Sequence, residues 1–480
     1  MTVINNPDNS ILKITAGGSE HIRLTTNLNE TVPLWAAVTE NGKTEILSGL
    51  SLTAESLTPE YAIITDNCRI QPKAEGIARF RVNVKCGETV YEKEAEFRVC
   101  RAKRKATYMT AEKSRAARDN ISRYIWAKEL ADGVIKKAET YLNSIDKLYD
   151  LVGSQGVPRA AEVGEVADPF VFRCRCCNID MSTLPGGKGW EHNPLEQPYK
   201  IICPGCGRSF PTNDFAGFYK LGLNEYGEFD RMRALEAHRE LCGDKSITEP
   251  GAEHSAQWKA YYGYGSKEGY LYNKEYPELY DNAPSTLNTG KGLRDGETPE
   301  TWGVDDSFGY VPSKADGTPY KYENGVVERH NYVGVFMHYG VYKRRPSKED
   351  DTSGIVTDAI QTCAKAYFYT GEAKYGRTAA ILLDRIADFY PDYTLRPFGN
   401  MMRNSHGGSH EGKIIGCIWE TGLVYTFMVA YDQVYDLYSK DSGIFEYINN
   451  RSKTLKYRHS KENVSQICQN IEDEIGRAHV

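Results

Sequence analysis

The sequence predicts a multidomain α+β chain: an N-terminal β-sandwich, then a helical body carrying a cysteine-built insertion. Three observations predict it. The first hundred residues alternate apolar and polar side chains in short β-branched runs. The apolar period lengthens to that of helices after Arg101-Ala102-Lys103-Arg104, and five of twelve cysteines crowd between positions 174 and 206. At 480 residues and 54.0 kDa the chain exceeds one ordinary domain. A charged fraction of 26% and a mean hydropathy of -0.55 fit a folded globular chain. The net charge of -6 argues against a general nucleic-acid-binding surface. No apolar run approaches the ~20 residues that cross a bilayer, so no membrane span is expected. The opening MTVINNPDNS lacks a charged segment followed by an apolar core, so no signal peptide is expected either.

Residues 1–103 contain the runs ILKIT, EHIRLTT, PLWAAVT, YAIIT, ARFRVNVK and ETVYEKEAEFRV, separated by turn residues. In Ala78–Lys85 every second residue is apolar and the intervening ones are charged or polar, as a half-buried antiparallel strand requires. The pattern resembles a bacterial immunoglobulin-like (Ig-like) module, whose role would be spacing or docking rather than chemistry. From Thr110 to about Leu148 the spacing predicts one or two helices, opening at Thr110 with Glu112 in the first turn. The expected apolar stripe runs through Ala116, Ile121, Tyr124, Ile125, Leu130, Ala131, Val134, Ile135, Ala138 and Leu142. Residues 150–345 are rich in Gly, Pro, Asn, Asp and Tyr. Too long for a bare loop, that stretch needs another organiser. From Gly354 helices return: 355–369, closed by Thr370-Gly371; 374–391, with Tyr375, Ala379, Leu382, Ile386 and Phe389 on one stripe; and 414–438. Short links predict antiparallel neighbours.

The organiser is expected in two Cys-x-x-Cys knuckles, Cys174–Cys177 and Cys203-Pro-Gly-Cys206, at the spacing of a zinc ribbon over about 170–215. Each knuckle would wrap two thiolates around one side of a tetrahedral Zn²⁺, and a closed four-thiolate site is structural because no position is left for water. Disulfide pairing and inert buried thiols are the alternatives. The other scattered cysteines read as buried thiols. Zinc thiolates without an export signal point to a reducing, cytoplasmic interior.

Around these residues lie IICPGCGRSFPTNDFAGFYKLGLNEYGEFD, TWGVDD, YFYTGEAKYGRTAAILLDRIADFYPD, EGKIIGCIWE and VAYDQVYD, preceded by YMTAEKSRAARDNISRYIWAKELADGVIKKAETYL. Together they resemble the heparinase II/III-like polysaccharide lyases over about residues 107–473. The resemblance implies a partial (α/α) toroid over 104–473, with helical hairpins from about 354, and β-elimination of an acidic, uronic-acid-containing polysaccharide. It also implies that most of the carboxylate-neutralising Asn or His and proton-moving Tyr/His groups belong to later helices, which predicts a C-terminally truncated fragment lacking much of the catalytic machinery. Residues 474–480 read as a non-native tail.

β-Elimination needs a neutralised carboxylate, a base at C5 and an acid for the leaving oxygen. The densest polar constellation is Arg403 to Glu411, on a Gly/Ser-rich stretch. Arg403, Asn404 and Glu411 are candidates for substrate binding, and His406 and His410 for proton transfer. The alternative is a polar connection capping the next helix through Ser409 or Glu411. Trp419 and Glu420 are secondary candidates for the substrate cleft, against core and hydrogen-bonding roles. The Tyr-rich segment, about 250–345, offers rings for sugar stacking or for plain packing. A non-catalytic carbohydrate-binding or scaffold protein and an (α/α)-toroid glycoside hydrolase remain alternatives, although no opposed carboxylate pair is legible for the latter.

Overall fold

The computed structural model describes residues 2–8, 11–17, 21–24, 29–40, 43–103, 105–153, 162–165, 168–174, 177, 179, 191, 193–210, 214–223, 231–241, 270, 336–338, 340–343, 354–390, 393, 414, 420–452 and 461–476. Sheets and helices are both present, as a mixed α+β class requires. The chain forms two compact units. One comprises Met1–Asp132, Ala364–Asp388 and Met428–Val480; the other comprises Gly133–Cys363 and Phe389–Phe427. The boundary expected at residue 103 therefore falls inside the first unit.

In the first unit, ten strands make two five-stranded sheets: β1 (Thr2–Asn5), β2 (Leu12–Ala16), β3 (His21–Leu24), β4 (Val32–Glu40), β5 (Lys43–Ser48), β6 (Leu52–Ser56), β7 (Ala62–Thr65), β8 (Arg69–Pro72), β9 (Gly76–Cys86) and β10 (Thr89–Arg101). One sheet runs β1-β10-β9-β6 with β3 also on β10; the other runs β2-β4-β8-β7 with β5 on β4. The β9–β10 hairpin pairs Cys86 with Thr89 and Gly76 with Val99. Ala78, Phe80, Val82 and Val84 are buried to the last percent while Arg79 and Arg81 face solvent, the alternation read from the sequence. Phe80 meets Phe97 at 5.9 Å between ring centroids, and both belong to one apolar core with Leu12, Leu34 and Ile70 of the other sheet.

Helix α1 (Ala111–Arg123) opens as expected, Thr110 accepting the Lys113 N–H at 3.3 Å, with Glu112 in the first turn. The apolar stripe is corrected. Tyr124 is extended and breaks the helix, and α2 (Ile125–Leu142) begins after it. Tyr124, Ile125, Trp126 and Leu130 are exposed, Ile125 by 79%; of the expected stripe Ala131 and Ala138 are buried, on one line with Ala127 and Tyr141. Small residues at helical spacing let a backbone approach closely, so bulk is a poor guide to the packed face here.

The segment before α1 is held by one carboxylate. Asp432 accepts N–H bonds from Thr107 (2.9 Å), Tyr108 (2.6 Å) and Met109 (2.6 Å) and pairs with Lys103 at 2.5 Å. It lies on the helix Glu420–Val434. Burial acts to raise the Asp432 carboxyl, but Lys103 and the three N–H donors hold it below the ordinary carboxylate range.

After α3 (Ile145–Val152), strands β11 (Glu162–Glu165) and β12 (Asp168–Cys174) form a hairpin, as do β13 (Ile201–Ile202) and β14 (Ser209–Phe210). Short helices α4 (Phe215–Leu221) and α5 (Arg231–Leu241) follow, then β15 (Phe336–His338) and β16 (Tyr342–Lys343). Helices α6 (Ile355–Thr370) and α7 (Ala373–Phe389) are joined through Gly371, whose φ of +77° and N–H bond to the Tyr367 carbonyl (2.7 Å) close α6 where Thr370-Gly371 predicts. Helices α8 (Glu420–Val434), α9 (Ser442–Ser452) and α10 (Val464–Asn470) follow, the last running on into a π-helical turn over Ile471–Ile475.

Helix α7 departs from a one-sided stripe. Tyr375, Ala379, Leu382, Ile386 and Phe389 are buried, but so are Asp384, Arg385 and Asp388 on its expected polar side. Lys461 reaches Asp388 at 2.8 Å and Asp384 at 3.7 Å, and the Asn470 amide donates to both carboxylates. A buried charge needs such partners, because desolvation costs more than one contact returns.

Candidate functional site

The cysteine knuckle is the best-defined constellation of ligating atoms. The ligand atoms of Cys177, Cys203 and Cys206 lie within 4.8 Å of one another. Cys177 and Cys203 sulfurs are 3.7 Å apart. A disulfide needs about 2.05 Å, so these two are not bonded. Two thiolates on a tetrahedral zinc with Zn–S near 2.3 Å stand about 3.8 Å apart. The observed separation fits the metal and not the disulfide.

Local backbone explains the geometry. The N–H of Cys203 bonds to the Arg208 carbonyl (2.9 Å) and that of Gly207 to the Cys203 carbonyl (2.8 Å), closing the β13–β14 turn on itself. Gly207 has φ +72°, a conformation that glycine adopts without steric cost. The Gly205 N–H points at the Cys203 sulfur, 3.3 Å away, a donor that favours thiolate over thiol. A Cβ at Gly205 would stand 3.2 Å from the Cys177 sulfur and 3.0 Å from Ile179. Glycine there lets the backbone pass beside the sulfurs. Cys203 is buried, whereas Cys177 and Cys206 are exposed. Cys174 ends β12, three residues before Cys177, in the chain position of the fourth ligand. Its backbone is described and its side chain is not.

Tyr199 precedes the knuckle with φ +63° and is buried against Tyr219, ring centroids 4.9 Å apart. The Tyr219 hydroxyl donates to the Gly153 carbonyl at 2.8 Å. Lys147 donates to the Leu195 carbonyl at 3.0 Å. These contacts seat the knuckle's entry strand on α3 and α4, and the Tyr199 backbone strain marks a position fixed by its surroundings.

The remaining cysteines differ in kind. Cys68 and Cys363 are buried, and Cys86, Cys100 and Cys468 are half-buried. Burial, assisted by Asp358, pushes the Cys363 thiol up to about 12; burial likewise pushes Cys468 up to about 12. Both stay protonated at neutral pH. Cys176, Cys242 and Cys417 lie outside the described residues.

The polar constellation read from the sequence falls mostly outside the description as well: Arg403, Asn404, His406, His410, Glu411 and Trp419 are not among the described residues. Glu420 is. It is the first residue of α8 and only 4% exposed. Its carboxylate accepts the Tyr390 hydroxyl and the Ile414 N–H, the latter at 3.1 Å. Burial and the Glu420 charge drive the Tyr390 phenol far above its ordinary range. Tyr390, which the sequence reading did not select, thus ties the end of α7 to the start of α8, while Tyr393 donates to the Val152 carbonyl at 2.6 Å. The structure places Glu420 in the hydrogen-bonding role rather than at an open surface. No sequence signal distinguished Tyr390 from the other 32 tyrosines.

Compared with family models, curated proteins and solved structures, the chain has no match in any of the three. Among the described residues, no helix is long and apolar enough to cross a membrane.

Proposed function

We propose that the chain is a heparinase II/III-like polysaccharide lyase, acting on an acidic polysaccharide by β-elimination, with an Ig-like module at its N-terminus and a zinc ribbon inserted in a partial (α/α) toroid. The observation that carries this reading is the run of helices from 355 to 452. Two of the segments bearing the resemblance become α6–α7 and α8, with α6 and α7 joined through a two-residue link. An (α/α) toroid is built from such successive hairpins. Arg403, Asn404 and Glu411 are the residues we assign to the uronate, and His406 and His410 to proton transfer, because an imidazole titrates near neutral pH. The two-sheet module of residues 2–101 supports the Ig-like part through its apolar core and its strand alternation.

Zinc would be held by Cys174, Cys177, Cys203 and Cys206 and would supply folding free energy, not a reactive water. Its contribution is to fix a segment whose strands are only two residues long.

One observation favours a second reading, a non-catalytic carbohydrate-binding protein: the Glu420 carboxylate is already consumed by Tyr390 and the Ile414 N–H. Incubation of the chain with polygalacturonate, heparan sulfate and hyaluronan separates the readings. A lyase produces a conjugated 4,5-unsaturated uronate with new ultraviolet absorbance. Cleavage with new reducing ends and no such absorbance means a hydrolase, and retention on immobilised glycan with no cleavage means a binding protein. Either of those outcomes overturns the lyase reading.

A further inference from the structure

The first compact unit contains a groove of about 1160 Å³, lined by residues 102–118, the end of α6, the second half of α8 and α10. None of its residues belongs to the segment 403–411 or to the cysteine knuckle. Its charges divide into two classes. Its buried carboxylate and its half-exposed ones are mostly engaged: Asp432 by Lys103 and three N–H donors, Asp436 by Lys440 at 2.5 Å and the Tyr367 hydroxyl at 3.2 Å, and Glu472 by the Tyr431 hydroxyl at 2.7 Å. Three lining cations are not matched in this way. Among the described residues, Lys105 and Arg115 have no ion-pair partner, and Arg118 makes only a 3.4 Å contact to the Phe368 carbonyl. Arg115 and Arg118 are three apart on α1, so their guanidinium groups leave the helix on neighbouring positions of one side.

We propose that this groove binds an acidic saccharide chain at a site separate from the segment assigned to elimination. Guanidinium groups recognise carboxylate or sulfate in a fixed fork geometry. Between them the groove lining includes hydroxyl- and amide-bearing Thr110, Gln433 and Ser465. That mixture suits a ligand whose anionic groups alternate with hydroxyls. The proposal goes beyond the lyase reading and survives its failure.

The test is titration calorimetry of the full chain with an oligogalacturonate hexamer, neutral cellohexaose and inorganic polyphosphate of matching charge. Expected is binding of the oligogalacturonate alone, weakened at least about tenfold by the exposed-residue double substitution Lys105→Ala/Arg115→Ala, roughly the effect of two charge-assisted contacts. Arg118→Lys keeps a charge but loses the fork, and should weaken binding about threefold. An unchanged melting temperature in both variants excludes misfolding. Equal binding of polyphosphate, equal binding of cellohexaose, no binding by the wild-type chain, or undiminished binding by the double variant each overturns the proposal. Unsaturated-product formation is measured in parallel: binding without product sinks elimination and leaves the groove, whereas product with no groove-dependent binding does the reverse.

Discussion

Residues 76–101 and residues 201–210 are both antiparallel hairpins, and they are stabilised by opposite means. The longer one pairs eleven and thirteen residues and buries Ala78, Phe80, Val82, Val84, Tyr91, Phe97 and Val99. The shorter pairs two residues with two. At about 25 cal/mol per Å² of apolar surface, the first gains enough from burial to fold with its neighbours. Two residue pairs do not overcome the backbone entropy of an isolated hairpin. What the short hairpin has instead is three sulfurs converging within 4.8 Å. The contrast shows where in this molecule side-chain chemistry, rather than side-chain volume, must specify the fold.

The largest effect that would sharpen the contrast is expected from Cys203→Ser. Structural zinc contributes on the order of 10 kcal/mol to small sites. Amide hydrogen exchange at residues 201–210 should therefore accelerate by several orders of magnitude, with residues 76–101 unaffected. Equal acceleration in both hairpins would erase the distinction. Phe80→Ala is expected to act the other way round. Loss of a fully buried ring facing Phe97 should cost about 3–5 kcal/mol in denaturant unfolding of the N-terminal module. Addition of a chelator should not change that cost.

Asp432→Ala gives a smaller and pH-dependent effect, about 2–4 kcal/mol at neutral pH, since it strands Lys103 and three N–H donors together. The folded carboxyl titrates below its unfolded value. Its stabilisation is therefore fully present above the unfolded value, about pH 4, and is lost as pH falls through the folded one. Wild-type thermal stability should drop across that acid window more steeply than that of the variant. Parallel acid limbs would show that the Asp432 anchor is not what ties residues 107–109 down.

Much of this was legible in one dimension. The alternation of Ala78 to Lys85, the Thr110 cap and the Gly371 stop are local patterns, and each reappears where the sequence places it; of the four knuckle cysteines, Cys177, Cys203 and Cys206 converge. Strands β1, β5, β6 and β8 carry no such legible run: Arg69–Pro72 is short and polar, and β1 and β6 depend on partners far along the chain, Thr2 facing Thr89 and Leu52 facing Val84. Asp384 and Asp388 lie off the apolar stripe read for α7 and yet are buried. Their burial depends on Lys461 and Asn470, more than 70 positions away. Ile125 and Leu130 belong to the expected stripe because bulk was taken for burial, whereas the packed line of α2 runs through Ala127, Ala131, Ala138 and Tyr141. Asp432 sits in the VAYDQVYD run, but nothing in that run marks it as an anchor; its role exists only because residues 103–109 lie against it.

The metal content of the folded chain tests the thiolate account most directly. Native mass spectrometry of the full chain, purified without chelator, should show one zinc per chain, retained at neutral pH and lost in Cys203→Ser. A metal-free chain whose residues 201–210 keep their exchange protection would contradict it.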